Sequence, residues 1–133
     1  MVQKSIVSLI DQYFKRFNSR TIKVSHQPLD DLKIIVVIPI YNEEDLTPTL
    51  DSLFLNQVSY SFSIEVIAIV NDSSLEKKEV KELNQKTFIK LKNFAKNNNN
   101  EKAFLIPIYK NDLDPKYAGV GWARKLGMDL ALE

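Results

Sequence analysis

Cysteine is absent from this chain of 133 residues, which excludes disulfides and thiolate metal sites and gives no sign of an oxidising compartment. Glycine occurs only three times. None of the three lies in residues 39–42, the turn directly after the first apolar run, where a dinucleotide-binding oxidoreductase needs several glycines. No apolar stretch reaches the roughly 18 residues that a membrane span requires, and the first nine residues lack a signal-peptide core. A cytoplasmic location is therefore the default expectation.

A strong charge of one sign is also absent, because 18 basic and 17 acidic residues leave a formal net charge of +1. Proteins that bind nucleic acids usually present a dense basic face, so no nucleic-acid partner is expected. A phosphorelay receiver is excluded because Asp30 and Asp31 precede the first apolar run instead of ending it. The length fits one globular domain or part of one.

Apolar runs and helical spacings alternate along the chain. Continuous runs at 32–38, 62–70 and 103–109 predict strands, while the segments 3–17, 47–54, 75–94 and 120 onward have helical spacing. The alternation predicts an α/β fold with a mostly parallel open sheet, flanking helices and right-handed crossovers. An N-terminal amphipathic helix and connector occupy 1–30, and the α/β domain occupies 31–133.

The N-terminal helix is predicted from an apolar stripe with helical spacing. One interpretation is that this helix docks on the main domain or on a partner. The other is peripheral contact with a membrane, because an aromatic face flanked by basic residues suits the headgroup region. The residues of the stripe are Ile6, Ile10, Tyr13, Phe14 and Phe17.

Ligands of open α/β sheets bind beyond the carboxyl ends of the strands, which here are followed by residues 39–45, 71–74 and 111–121. Tyr41 offers a planar face on which a base can stack. Asp72 can accept a hydrogen bond from a ring N–H of uracil or guanine, although capping the next helix is its commoner use. The start of the last helix, with Arg124 in its first turn, suits a phosphate group.

Four segments resemble family 2 glycosyltransferases, in the order in which that family has them. Residues 34–44 resemble its opening strand and P-x-Y-N-E turn, and the helix that ends near Asn56 and Gln57 resembles its S-L-x-x-Q helix. Residues 67–74 are similar to its V-V-D-D-G-S segment, and residues 118–128 to its G-x-x-x-A-R-N-x-G helix. The resemblance extends from about residue 32 to the end of the chain.

This resemblance implies the Rossmann-like half of a GT-A fold and a UDP- or GDP-linked sugar donor. The acceptor would be a saccharide or a lipid-linked glycan. The chain departs from the family where Asn71 replaces an aspartate, Ser73 a glycine and Lys125 an asparagine. The implied donor-binding residues are Pro39 and Tyr41 at the base, Glu43 near the ribose, Asn71 and Asp72 at the base, and Arg124 near the diphosphate or sugar.

The family binds a divalent cation through a D-x-D motif beyond the A-R-N helix, and its general base lies further on. We therefore expect Mn²⁺ or Mg²⁺ to take ligands outside this chain. The chain itself is expected to hold no catalytic residue and to be inactive alone. A literal D-x-D at 112–114 is interpreted as a turn, because Pro115 follows and the helix comes after it.

A non-catalytic α/β module that binds nucleotides or partners is the alternative to a transferase. The exposed edge of a half sheet also predicts self-association.

Overall fold

The computed structural model describes residues 5–17, 22–55 and 61–133. Residues 3 and 4 of the predicted first helix, and Asn56 and Gln57 of the family resemblance, lie outside these ranges. Helices and strands alternate as the periodicity predicts, with a short 3₁₀ turn at Pro115–Tyr117. The elements are α1 (Ile6–Phe17), β1 (Leu32–Ile40), α2 (Thr47–Leu55), β2 (Ser63–Ser73), α3 (Lys78–Asn98), β3 (Ala103–Leu113) and α4 (Val120–Leu132).

A three-stranded parallel sheet, in the order β1-β2-β3, forms the centre of the molecule. Residues 63–72 of β2 are all buried, as expected for a continuous apolar strand covered on both faces. Pro107 lies in β3, which in the described part of the chain pairs with β2 alone, and an edge strand tolerates proline. The predicted α/β class with a parallel open sheet, flanking helices and an N-terminal helix is confirmed.

The two faces of the sheet carry separate apolar cores because successive side chains of β2 point to opposite sides. Val66, Ala68 and Val70 pack in the core that includes residues of α2 and α3. Ile67 and Ile69 pack in the core that includes residues of α4. The carboxyl ends of the three parallel strands therefore lie at one edge of the sheet, and helices cover both faces of the sheet.

α1 docks on the main domain through α4. Phe14 is buried, and the hydroxyl of Tyr13 donates a hydrogen bond of 2.6 Å to Oδ1 of Asp129. Lys125 donates to Oδ2 of the same carboxylate at 2.5 Å. These contacts fit the docked interpretation of the N-terminal helix. None of the helices in the described residues has the length and apolar content needed to cross a bilayer, and peripheral membrane contact stays a prediction.

β3 is four residues longer than the apolar run predicts, because it continues through Leu113. This extension pairs with the end of β2, with Asn71 opposite Lys110 and Ser73 opposite Leu113. One residue of β2 thus faces two residues of β3, which is a β-bulge. The extra residue is accommodated by Asp112, whose φ of 52° is left-handed. The prediction that 111–113 belong to a loop was therefore wrong.

Candidate functional site

A buried polar network lies at the carboxyl edge of the sheet and is centred on Asp72, which is 1% exposed. Oδ2 of Asp72 accepts hydrogen bonds from the hydroxyl of Tyr109 at 2.5 Å and from Nδ2 of Asn84 at 3.3 Å. Oδ1 accepts from the backbone N–H of Asp112 at 3.1 Å, and the ammonium group of Lys81 lies 3.6 Å from it. A buried carboxylate is stable only when its oxygens are satisfied, and this one has partners on both.

These contacts set the ionisation of the network. Burial alone raises the pKa of the Asp72 carboxyl, but the hydrogen bonds it accepts, led by that from Tyr109, and the charge of Lys81 lower this pKa overall. Burial and the bond to Asp72 raise the pKa of the Tyr109 hydroxyl well above its ordinary value. Asp72 is therefore the charged acceptor at neutral pH, and Tyr109 is the neutral donor.

Asn71 joins the network to the last helix. Its Oδ1 accepts a hydrogen bond of 2.9 Å from the backbone N–H of Gly119, and its Nδ2 donates to the carbonyl of Ile40 at 3.3 Å. Gly119 has a φ of 101°, a backbone conformation that side chains rarely allow. One buried amide thus connects the ends of β1 and β2 with the N-terminus of α4.

The loop after β1 is held by side chains of α3. Oδ1 of Asn84 accepts a hydrogen bond of 3.0 Å from the backbone N–H of Asn42, and Thr87 donates to the carbonyl of Glu43 at 2.7 Å. Lys90 donates to the carbonyl of Glu44 at 3.3 Å. Because Asn84 also donates to Asp72, one residue of α3 holds both the loop after β1 and the carboxyl end of β2.

The rim of this edge carries exposed groups. Tyr41 is 47% exposed and donates to Oε2 of Glu76 at 2.8 Å. This bond raises the pKa of the Tyr41 hydroxyl, whose ordinary value is about 10. Lys81 bridges Asp72 to the exposed carboxylate of Asp112, and its bond to Asp112 raises the pKa of the Lys81 ammonium. The rim therefore presents an aromatic ring and charges of both signs.

Several predicted site residues meet at this edge. Tyr41, Asn71 and Asp72 lie together, while Pro39 is half-buried in β1 and Glu43 is exposed. Arg124 is exposed and, within the described residues, makes no hydrogen bond or ion pair. It lies in the second turn of α4, which begins at Val120, so its predicted place in the first turn was wrong.

Sequence reasoning missed three members of the network, which are Lys81, Asn84 and Tyr109. Asn84 is fully buried and extends the buried stripe of α3 that Thr87 and Leu91 form. A polar residue three positions before Thr87, on a face that continues to Leu91, was the available signal.

The literal D-x-D spans the end of β3 and the start of the 3₁₀ turn. Oδ1 of Asp114 accepts a hydrogen bond of 2.9 Å from the backbone N–H of Lys116 and caps the 3₁₀ turn, as the turn interpretation predicts. The described residues contain no group of three or more His, Cys, Asp or Glu side chains that could hold a metal ion. The divalent cation implied by the family resemblance stays a prediction for ligands elsewhere.

A cavity of about 910 Å³ lies away from this edge, toward the amino ends of the strands. α1, the connector and the end of α4 surround it, and Ile35, Ile67 and Ile106 of the sheet line it. Nε2 of His26 and Oε1 of Glu65 lie within hydrogen-bond distance, 3.1 Å, on its wall. We place the candidate site at the carboxyl edge instead, because ligands of parallel sheets bind there and the polar network lies there.

Comparison of this chain with protein-family models, with curated proteins and with solved structures finds no match.

Proposed function

We propose that this chain is the donor-binding region of a glycosyltransferase that uses a UDP- or GDP-linked sugar. The observation that carries the proposal is the network at the carboxyl edge, in which Asn71, Asp72 and Asn84 connect the loop after β1, the end of β2 and the N-terminus of α4. Loops fixed to one another form a preorganised surface, which lowers the entropic cost of binding a ligand.

Tyr41 is the residue that we assign to the base. Its ring is half exposed beside loops held by α3, and base–aromatic stacking typically contributes about 1–3 kcal/mol. Its hydroxyl is already held by Glu76, which restricts the orientation of the ring.

α4 is the element that we assign to the diphosphate. Its first intrahelical hydrogen bond runs from the N–H of Ala123 to the carbonyl of Gly119, which leaves the N–H groups of residues 120–122 at the helix end. Such groups favour anions, and the exposed guanidinium of Arg124 adds a positive charge nearby.

The groups that carry out the transfer itself are expected to lie outside this chain, as the family resemblance implies. A divalent cation, when bound, neutralises the diphosphate leaving group, and a carboxylate deprotonates the acceptor hydroxyl. The family resemblance implies metal ligands outside this chain, so donor binding and orientation are the roles that we assign to it.

A non-catalytic nucleotide-binding or interaction module is the second candidate. It is favoured by the internal satisfaction of Asp72, whose oxygens are already occupied by protein groups. Detectable sugar transfer by a longer form that includes this chain would reject the module, whereas nucleotide binding without transfer would favour it.

Isothermal titration with UDP and GDP, with and without Mn²⁺, tests the proposal. We expect one nucleotide to bind with little effect of Mn²⁺, and Tyr41→Ala to weaken binding by roughly 5- to 150-fold through loss of stacking. Phe17→Ala is the matched control, because Phe17 is 51% exposed on α1, away from the carboxyl edge. If neither UDP nor GDP binds at millimolar concentration, the proposal is contradicted.

A further inference from the structure

The buried position of Asp72 has a consequence for how a base is recognised. Its Oδ2 accepts two hydrogen bonds, and its Oδ1 accepts one and lies beside Lys81. A base N–H could reach this carboxylate only by displacing a buried donor, which would then lose its own partner. Asp72 is therefore occupied in holding the fold of this edge.

Asp112 is the carboxylate that the same network presents to solvent. Its side chain is 65% exposed, although its backbone N–H is bonded to the buried Asp72. The β-bulge between β2 and β3 and the left-handed φ of 52° turn this residue out of the regular strand. Bulges commonly re-aim a side chain next to a functional site.

The two oxygens of Asp112 differ in their partners. Oδ1 is held by the ammonium group of Lys81, which is itself anchored beside Asp72. Among the residues that the structure describes, Oδ2 has a single long contact, of 3.5 Å, from Nδ2 of Asn111. One oxygen thus fixes the orientation of the carboxylate, and the other can accept a stronger hydrogen bond.

We infer that Asp112 is the residue that determines which base the site accepts. Asp72 holds Asp112 in place by accepting a hydrogen bond from its backbone N–H and by its contact with Lys81. This inference rests on the proposed function, since it assigns a role within the same site. A carboxylate accepts a hydrogen bond from the ring N–H of uracil or guanine. The corresponding ring nitrogen of cytosine or adenine has no hydrogen and would repel the carboxylate. The site therefore selects a base with a ring N–H.

Titration of the purified chain with matched nucleotide pairs tests this role. UDP is compared with CDP, and GDP with ADP, for the wild type, Asp112→Asn and Asp114→Asn. The wild type is expected to prefer the nucleotide that carries the ring N–H by roughly tenfold to a hundredfold. Asp112→Asn is expected to remove most of this preference, because an amide can donate as well as accept.

Asp114→Asn is the matched control, since it removes one charge two residues away and asparagine caps equally well. It should keep the wild-type preference. A folded Asp112→Asn variant that also keeps this preference would overturn the role of Asp112 while leaving nucleotide binding intact. Binding of no nucleotide by the wild type would overturn the proposed function as well, so the two failures are distinguishable.

Discussion

Replacing Tyr109 by phenylalanine removes one hydroxyl from the buried network and changes little else. That hydroxyl donates to Oδ2 of Asp72 at 2.5 Å, and the bond is charge-assisted because Asp72 is ionised at neutral pH. A hydrogen bond to a charged group contributes about 1.5–3 kcal/mol. Asp72 keeps the donor Asn84 on the same oxygen, so no acceptor is orphaned and about 2 kcal/mol is expected to be lost.

A loss of about 2 kcal/mol corresponds to a lower melting temperature. At about 2.1 cal/mol/K per residue, the unfolding entropy of a chain of 133 residues is about 0.28 kcal/mol/K. The midpoint should therefore fall by about 7 °C in a thermal unfolding experiment followed by circular dichroism. Tyr117→Phe is the control, because Tyr117 is exposed and its hydroxyl has no hydrogen bond within the described residues.

The pH dependence of this loss gives a sharper test than its size. The pKa of Asp72 is lowered on folding, so its stabilisation is complete above about pH 4 and is lost as the pH falls through the folded pKa. The pKa of Tyr109 is raised, so its stabilisation is complete below about pH 10 and is lost as the pH rises through the folded pKa.

The difference in unfolding free energy between the wild type and Tyr109→Phe should therefore be largest from about pH 5 to pH 9 and shrink at both extremes. Denaturant unfolding at a series of pH values measures it. A difference below about 0.5 kcal/mol at pH 7, or one that does not change with pH, would refute the reasoning.

Two further variants test the packing of α4. Gly127→Ala would place a Cβ 2.3 Å from Cγ1 of Val37, so overpacking should exceed the gain in helix propensity and cost about 1–2 kcal/mol in denaturant unfolding. In Gly121→Ala the added Cβ has no atom within 4 Å, so this substitution should be neutral or stabilising. Equal changes in the free energy of unfolding for the two variants would contradict this account. Tyr13→Phe loses the bond to Asp129 and should speed amide hydrogen exchange in α1 more than in the strands. Uniform acceleration would argue against local docking.

The sheet was predictable because its strands are continuous apolar runs separated by helical spacings. Such runs identify strands buried on both faces, and 63–70 of β2 required no further information. The last residues of β3 were not predictable in this way, since the strand continues through the polar residues Asn111 and Asp112 to Leu113, which pairs with Ser73 of β2. Pairing between strands that are distant in sequence depends on the tertiary fold and leaves little trace in local pattern.

The place of the candidate site follows from a rule that applies to the sequence alone, whereas its internal chemistry does not. The rule that ligands bind at the carboxyl ends of strands led to Tyr41 and Asp72 from sequence alone. That Asp72 would be buried could not be read from the chain, because its partners come from two elements distant in sequence, α3 and β3. Asn84 and Lys81 belong to a helix rich in charged residues, a pattern that is typical of a solvated face and does not reveal their contacts with Asp72.

The most direct test of the central claim is nuclear magnetic resonance mapping of the ¹⁵N-labelled chain titrated with UDP and GDP. The claim is that nucleotide binds at the carboxyl edge of the sheet. It predicts that backbone shifts change in 41–45, 71–74 and 111–121 and remain nearly constant around His26 and Glu65. Shift changes concentrated at the cavity beside His26 and Glu65, with none at the carboxyl edge, would contradict it.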